Sequence, residues 1–209
     1  LLVPTVVVSV FGFYRRIRRW RIGQPIDRFD QPWRRVGLLV QNALFQQRTL
    51  RQRYAGVFHG MIFWGFLVLL VATTVVMLDH DFHLPLMRGA FYLYFQSLFV
   101  DILGLLFLIG ILLAAVRRGM LRPKQLIYSS ESFWILAAFF VIGATGFLLE
   151  GWRIAATSDP WGAWSPIGYL VAKGSAGLPV ETIRLLHRAT WWFHLVLTFV
   201  CIAWAPYTK

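Results

Sequence analysis

The stretch "LLHRATWWFHLVLTFVCIAWAPYTK", residues 185–209, places two histidines in a strongly apolar run. As a helix, residues 185–205 would extend about 32 Å at about 1.5 Å per residue, enough to cross a hydrocarbon core of about 30 Å. His194 lies roughly ten residues into this span, and His187 lies about two helical turns earlier on nearly the same face. An imidazole inside a bilayer needs a partner, a ligand or water, so these two histidines decide whether the chain carries redox chemistry or is only hydrophobic.

The composition of the 209 residues is that of a membrane protein. Hydrophobic residues make up 58% of the chain, aromatic residues 17%, and the mean hydropathy is +0.61, all outside the range of soluble domains. The net charge of +12 therefore indicates Lys and Arg that orient membrane spans, and nucleic acid is not expected as a partner. Cys201 is the only cysteine, which excludes an intramolecular disulfide, a cysteine zinc site and iron–sulfur ligation within this chain.

Five apolar segments predict an all-α, integral membrane bundle of five helices. They cover approximately residues 1–14, 55–78, 90–116, 132–150 and 185–205. The first would reach only about 21 Å as a helix. Because the chain also begins with Leu1, we expect it to be truncated at its N-terminus.

Cations are unequally distributed between the two sides of this bundle. Residues 15–53, the loop "RRGMLRPK" at 117–124, and Lys209 together hold 16 of the 21 Lys and Arg. The other side holds five cations, which are Arg88, Arg153, Lys173, Arg184 and Arg188. The positive-inside rule therefore predicts an N-terminus outside and a C-terminus in the cytoplasm.

Two connecting segments carry patterns of their own. Residues 33–53 repeat apolar side chains at helical spacing between cations, which fits an interfacial helix; a basic linker on anionic headgroups is the alternative. Residues 151–184 are rich in Pro, Gly and Trp, which predicts an ordered lid at headgroup level.

His59 and His194 are candidate haem ligands because both lie within apolar spans. Neutral imidazoles on facing helices can hold haem iron from both sides without adding charge, and Gly65 thins one wall where a macrocycle could pack. The alternative is that the histidines are hydrogen-bonded packing residues, which is favoured for His80 and His83 at the outer end of the second span.

The chain end and four internal motifs resemble a known family. Pro206, Thr208 and Lys209 follow His194 by twelve, fourteen and fifteen residues. This is similar to the "H…P-x-[ST]-[RK]" ending of the gamma subunit of respiratory nitrate reductase and of related heterodisulfide-reductase-like iron–sulfur proteins. The internal motifs are "RRGMLRP" (117–123), "ATGFLLEGWRIA" (144–155), "WSPIGYLVA" (164–172) and "LHRATWWFH" (186–194). In this order, over nearly the whole chain, they resemble the bacterial branch that continues into cysteine-rich iron–sulfur modules.

The resemblance implies a cytochrome b membrane domain of the bacterial inner membrane, with one or two haem b groups. In the family a second haem-ligating histidine follows the first by eighteen residues, which falls three positions beyond Lys209. We therefore expect truncation at the C-terminus as well, with a cytoplasmic iron–sulfur domain following.

The ligand pairing implied by the resemblance is incomplete. The family pattern has another histidine ten residues after the first one on the second span, and here that position is Leu69. His59 would pair with the histidine beyond the chain end, which leaves His194 without an evident partner at its depth. His187 with His80 is a second candidate pair at the outer edge, and a single haem is the other alternative.

Asp101, Glu150 and Arg153 are candidate quinone-binding or proton-transfer residues. A carboxyl group inside a span is costly, and such groups often serve as proton relays or hydrogen-bonding groups. The alternative for Asp101 is a carboxyl paired with an arginine or kept protonated for packing. For Glu150 and Arg153, three residues apart, the alternative is a local ion pair at the outer interface.

These features predict a haem b domain that moves electrons between menaquinone, or another quinone, and a cytoplasmic iron–sulfur protein or flavoprotein. The resemblance adds electron-transfer flavoprotein as a partner, because some members of that branch pass its electrons to menaquinone. The alternative is a haem-free anchor or assembly subunit of a larger respiratory or photosynthetic complex. A small transporter ranks lowest, because no pair of spans shows a broken-helix or inverted-repeat pattern.

Overall fold

The computed structural model describes residues 1–24, 30–124, 126 and 128–208. Within these residues the secondary structure is helical, and no strand is formed. The helices are α1 Leu2–Trp20, α2 Pro32–Leu39, α3 Gln47–Leu50, α4 Arg53–Asp81, α5 Phe91–Leu121, α6 Ser130–Thr157, α7 Pro166–Gly174 and α8 Val180–Trp204. The ends of α5 are wound as π-helix, over Phe91–Phe99 and Arg117–Leu121.

Four of the described helices, α4, α5, α6 and α8, are long and apolar enough to cross a membrane. They contain four of the five predicted segments, so these four predictions are confirmed as helices. Most of their ends lie beyond the predicted limits, because a spanning helix continues into the headgroup layer after its apolar run has ended.

The first predicted segment is also helical, but α1 differs from the other four. It continues past Tyr14 through Arg15, Arg16, Arg18 and Arg19, so its apolar part is short. It is not among the helices that meet the length and hydropathy expected of a span. The fifth crossing, like the orientation of the termini, stays a prediction.

The predicted interfacial helix over residues 33–53 is interrupted. The helix α2 continues as a π-helical turn over Val40–Leu44, and Gln46 then adopts a left-handed conformation with φ of 52° before α3 begins. Most of the apolar side chains of this segment are exposed, which is compatible with either a membrane surface or a linker.

The chain divides into two compact units, Leu1–Gly56 with Leu195–Lys209, and Val57–His194. In the first unit, α1 packs on the end of the chain. The Tyr207 hydroxyl donates to the Val8 carbonyl at 3.0 Å, and Arg16 Nε donates to the Pro206 carbonyl at 2.6 Å. A Cβ on Gly12 would lie 2.7 Å from Pro206, so only glycine allows this approach. Lys209, the last position of the quoted ending, lies outside the described residues.

The second unit is built by close helix packing over glycines. A Cβ on Gly65 of α4 would lie 2.6 Å from Phe107 of α5, and a Cβ on Gly110 of α5 would lie 2.9 Å from Ile62 of α4. Further along, Gly151 of α6 lies directly against Val171 of α7. Small residues at helix crossings are typical of membrane bundles, where close backbone approach replaces the hydrophobic effect as the source of association.

The predicted lid is largely ordered secondary structure. Helix α6 runs to Thr157 and ends at Ser158, which is left-handed with φ of 50°. A 3₁₀ turn over Gly162–Trp164 then leads into α7, which has Pro166 at its first position, where proline is well tolerated. This turn and α7 place backbone groups against the acidic residues of α5 and α6.

Candidate functional site

Asp101 of α5 lies at the start of α7. Its carboxyl oxygens accept hydrogen bonds from the backbone N–H groups of Ile167 at 2.8 Å and Gly168 at 3.1 Å. The first N–H groups of a helix have no partner within it, and a carboxyl there satisfies them. Only 1% of Asp101 is exposed. The buried acid predicted from sequence is therefore paired with a helix N-terminus and not with an arginine.

Glu150 of α6 lies beside the same helix start. Its carboxyl lies against Gly168, whose backbone N–H donates to Asp101, and it interacts electrostatically with Ser165 and Asp101. The structure thus brings the two predicted acids together at the start of α7.

Glycine at position 168 makes this approach of Glu150 to α7 achievable. A Cβ on Gly168 would lie 2.8 Å from Cγ of Glu150. Any larger residue would displace the carboxyl from the start of α7.

Arg153, one helical turn after Glu150, forms an ion pair with Asp159 and not with Glu150. Its Nη1 lies 2.8 Å from Oδ2 of Asp159, and the Tyr92 hydroxyl donates to the same oxygen at 2.7 Å. The backbone N–H of Trp161 donates to Oδ1 at 2.9 Å. The expected local pair of Glu150 with Arg153 is therefore wrong as a direct contact, although the two charges still interact.

Asp159 lies in the connection between α6 and α7 and is held as a carboxylate. Burial on its own would raise the pKa of Asp159, but the hydrogen bonds from Tyr92 and Arg153 and the charge of Arg153 outweigh burial and lower it. Arg153 thereby has a fixed position, from which its charge interacts with both Glu150 and His187.

A cavity of about 450 Å³ opens beside Arg153, between the ends of α6 and α8. Its lining is strongly cationic and includes one of the predicted histidines. The lining residues are Arg153, Ala156, Thr157, Arg184, His187, Arg188 and Trp191. His187 is therefore placed at a surface that a small anion or a polar headgroup can enter.

His194 lies deeper along α8 and is hydrogen-bonded to Thr145 of α6. The Thr145 hydroxyl is 2.8 Å from Nδ1 of His194 and 2.7 Å from the Val141 carbonyl. With its hydrogen directed at that carbonyl, the hydroxyl accepts from Nδ1 of His194; the donor and acceptor roles depend on the histidine tautomer. In the tautomer protonated on Nδ1, Nε2 keeps its lone pair for a metal or a hydrogen-bond donor.

The remaining histidines differ from His194 in their surroundings. His59 lies on an exposed part of α4. His80 has 85% of its side chain exposed and hydrogen-bonds to Asp81 at 2.8 Å, while His83 hydrogen-bonds to the His80 carbonyl at 2.9 Å. The pairing of His80 with His187 as haem ligands stays a prediction.

The chain resembles a curated relative. It is 34% identical over 220 aligned residues to the EtfAB:quinone oxidoreductase of Syntrophomonas wolfei subsp. wolfei (strain DSM 2245B / Goettingen). The alignment covers all of this chain, which spans 30% of the length of that relative. No family model matches the chain, and no solved structure matches it. Neither the nitrate reductase gamma subunit nor a haem b family is shown by these matches.

Among the described residues, no group of three or more His, Cys, Asp and Glu side chains could hold a metal ion. A haem requires only axial ligands, so this finding bears on clustered metal ions and not on haem. For haem, His194 offers Nε2 as a donor in the tautomer that carries its proton on Nδ1. A Cβ on the neighbouring Gly146 would still lie 3.8 Å from Cε1 of His194, so the wall beside the ring is thin.

Sequence reasoning did not find several residues that position the site. Their contacts are with residues elsewhere in the fold, and the local sequence contains no pattern that predicts them. These residues are Thr145, Ser165, Asp159 and Tyr92. The lining of the cavity could have been found, because Arg184, His187, Arg188 and Trp191 recur at intervals of three and four residues, which place them on one face of a helix.

Proposed function

We propose that this chain is a membrane electron-transfer domain that exchanges electrons with a quinone, and that electron-transfer flavoprotein or an iron–sulfur protein is its redox partner. The name of the relative, an EtfAB:quinone oxidoreductase, supports the quinone and the flavoprotein. The finer assignments, which are menaquinone, the bacterial inner membrane and a cytoplasmic partner, belong to the same proposal.

The observation that carries the proposal is the pair of acids at the start of α7. Reduction of a quinone to a quinol takes up protons as well as electrons, so a quinone-linked domain needs proton-carrying groups inside its spans. Asp101 and Glu150 both lie against Gly168 at the start of α7, and Glu150 interacts electrostatically with Asp101 and Ser165. In this proposal the acid pair holds a proton, and the positive charge of Arg153 orients the pair.

Haem b is part of the proposal, and His59 and His194 are the residues that would hold it. When bound, haem would supply one-electron transfer. Thr145 would keep the proton of His194 on Nδ1 and so leave Nε2 as a neutral donor. The spans exclude water and so keep the surroundings of the cofactor at low dielectric.

The experiment is a reduced-minus-oxidised absorption spectrum of the full-length protein in native membranes, followed by a pyridine haemochrome titration. Bis-histidine haem b bands support the haem assignment, and the titration counts one haem or two. A fully assembled preparation without these bands would leave the haem-free anchor as the better description.

A further inference from the structure

We propose that the cavity lined by Arg153, Arg184, His187, Arg188 and Trp191 binds the phosphate group of an anionic membrane lipid. This site is distinct from the proton-carrying acids, and the inference does not require the proposed electron transfer. It rests on the charge of the cavity, its place at the ends of two spans, and the spacing of its residues.

The charge of the cavity is unusual for its end of the helices. The topology predicted from sequence assigns only five of the 21 Lys and Arg to the side where α6 finishes and α8 begins, and three of those five, Arg153, Arg184 and Arg188, line this one cavity. Like charges in one cavity repel each other unless an anion lies between them. This concentration therefore indicates that the cavity accommodates a negative group.

The acids near the cavity neutralise only part of its charge. Arg153 is paired with Asp159, and Arg184 is paired with Glu181 at 2.9 Å on an exposed surface. Within the residues that the structure describes, Arg188 has neither an ion pair nor a hydrogen bond from its side chain. A positive charge is thus left over where two spans meet the headgroup layer.

The geometry of α8 fits a lipid better than a free anion. Arg184, His187, Arg188 and Trp191 form one stripe that passes from charged to aromatic with depth. Trp191 is 44% exposed and Trp192 is 53% exposed, so the apolar surface continues below the arginines. Guanidinium groups bind phosphate oxygens through paired hydrogen bonds, and tryptophan is favoured at the glycerol and acyl boundary.

Native mass spectrometry of the detergent-solubilised, full-length protein tests this inference. The probes are phosphatidylglycerol and phosphatidylcholine with the same acyl chains, and separately inorganic phosphate. The wild type should bind phosphatidylglycerol in preference to phosphatidylcholine. In Arg184→Gln/Arg188→Gln that preference should fall about 30-fold, which corresponds to about 1 kcal/mol for each of the two arginines near the surface.

The control is Arg88→Gln, which removes an arginine from the same end of the spans but outside the cavity lining. It should retain the wild-type preference. A double variant that prefers phosphatidylglycerol as strongly as Arg88→Gln does would overturn the inference.

Two further arms keep the result decisive. Glu181→Gln releases Arg184 from its ion pair and should strengthen phosphatidylglycerol binding. This variant tests the site even where the arginine variants fold poorly. Unchanged binding would count against the site. Inorganic phosphate should not displace the lipid, because it has no chain to lie along Trp191. Full displacement would show a free-anion site and contradict the lipid assignment.

Discussion

His194 and Glu150 both lie on membrane-spanning helices of the second unit, but their surroundings differ. His194 has one side-chain hydrogen-bond partner, the Thr145 hydroxyl, which can hold the ring proton on Nδ1. Glu150 lies among Ser165, Asp101 and the start of α7, where several groups can exchange hydrogen. A histidine with one nitrogen held by a hydroxyl suits a cofactor ligand, whereas a connected set of acids and hydroxyls suits proton transfer. We therefore expect substitutions in the two regions to affect different measurements.

The largest expected effect is the loss of haem when an axial ligand is removed. His194→Ala and His59→Ala should each lose haem, because alanine offers no donor to iron. Pyridine haemochrome titration of the full-length variants measures this. The control is His83→Asn, because asparagine tolerates the positive φ of 54° at this exposed position. Haem content that stays unchanged in both alanine variants would refute the ligand assignment.

The next effect concerns protons and should leave haem content unchanged. Glu150→Gln keeps the shape of the side chain but removes its exchangeable acid, so quinone-linked turnover should fall by about 100-fold, as for the loss of a general acid or base. Steady-state quinone reduction by the full-length protein measures this rate. Asp81→Asn, in an exposed acid at the end of α4, should keep the wild-type rate. Equal rates in Glu150→Gln and Asp81→Asn would show that the acid pair does not transfer protons during quinone turnover.

A smaller effect is expected at the partner of the histidine. Thr145→Val removes the hydroxyl that accepts from His194 and should weaken haem retention by about tenfold, since partners of metal-ligating histidines are typically worth that much. Thr145→Ser keeps the hydroxyl and is the matched control. Haem retention measured during dilution in detergent separates the two variants, and identical retention would mean that Thr145 does not set the tautomer.

The smallest effect is a pH dependence at Asp159. Its pKa in the folded protein is below the ordinary value of 3.8, so its charge stabilises the fold above that value, and this contribution is lost as the pH falls through the lowered pKa. Asp159→Asn should therefore lower the thermal unfolding midpoint at neutral pH and differ less from wild type below about pH 4. A difference that stays constant between neutral pH and pH 3 to 4 would show that the Asp159 charge contributes nothing.

Hydropathy predicted the four spanning helices because a bilayer imposes a length and an apolar composition on each crossing. It gave α1 an apolar reach of only about 21 Å, and this helix, which continues into four arginines, stays a predicted crossing. The acids Asp101 and Glu150 were found because ionisable groups in apolar runs are rare. Their pairing at the start of α7 was not found, since it depends on a connection that folds back between two spans.

The contacts of Arg153 show the same limit. Sequence spacing favoured Glu150, three residues away, but the arginine reaches Asp159 across the end of its helix. Spacing along a helix predicts which side chains are neighbours only while the helix continues, and α6 ends at Thr157.

The most direct test of the central claim is the reduction of a b-type absorption band by a menaquinol analogue in membranes that contain the full-length protein. The account predicts that the analogue develops the band in the wild type, and that Glu150→Gln develops the same final amplitude more slowly. A band that dithionite develops but the quinol analogue cannot, in wild-type membranes, would contradict the account.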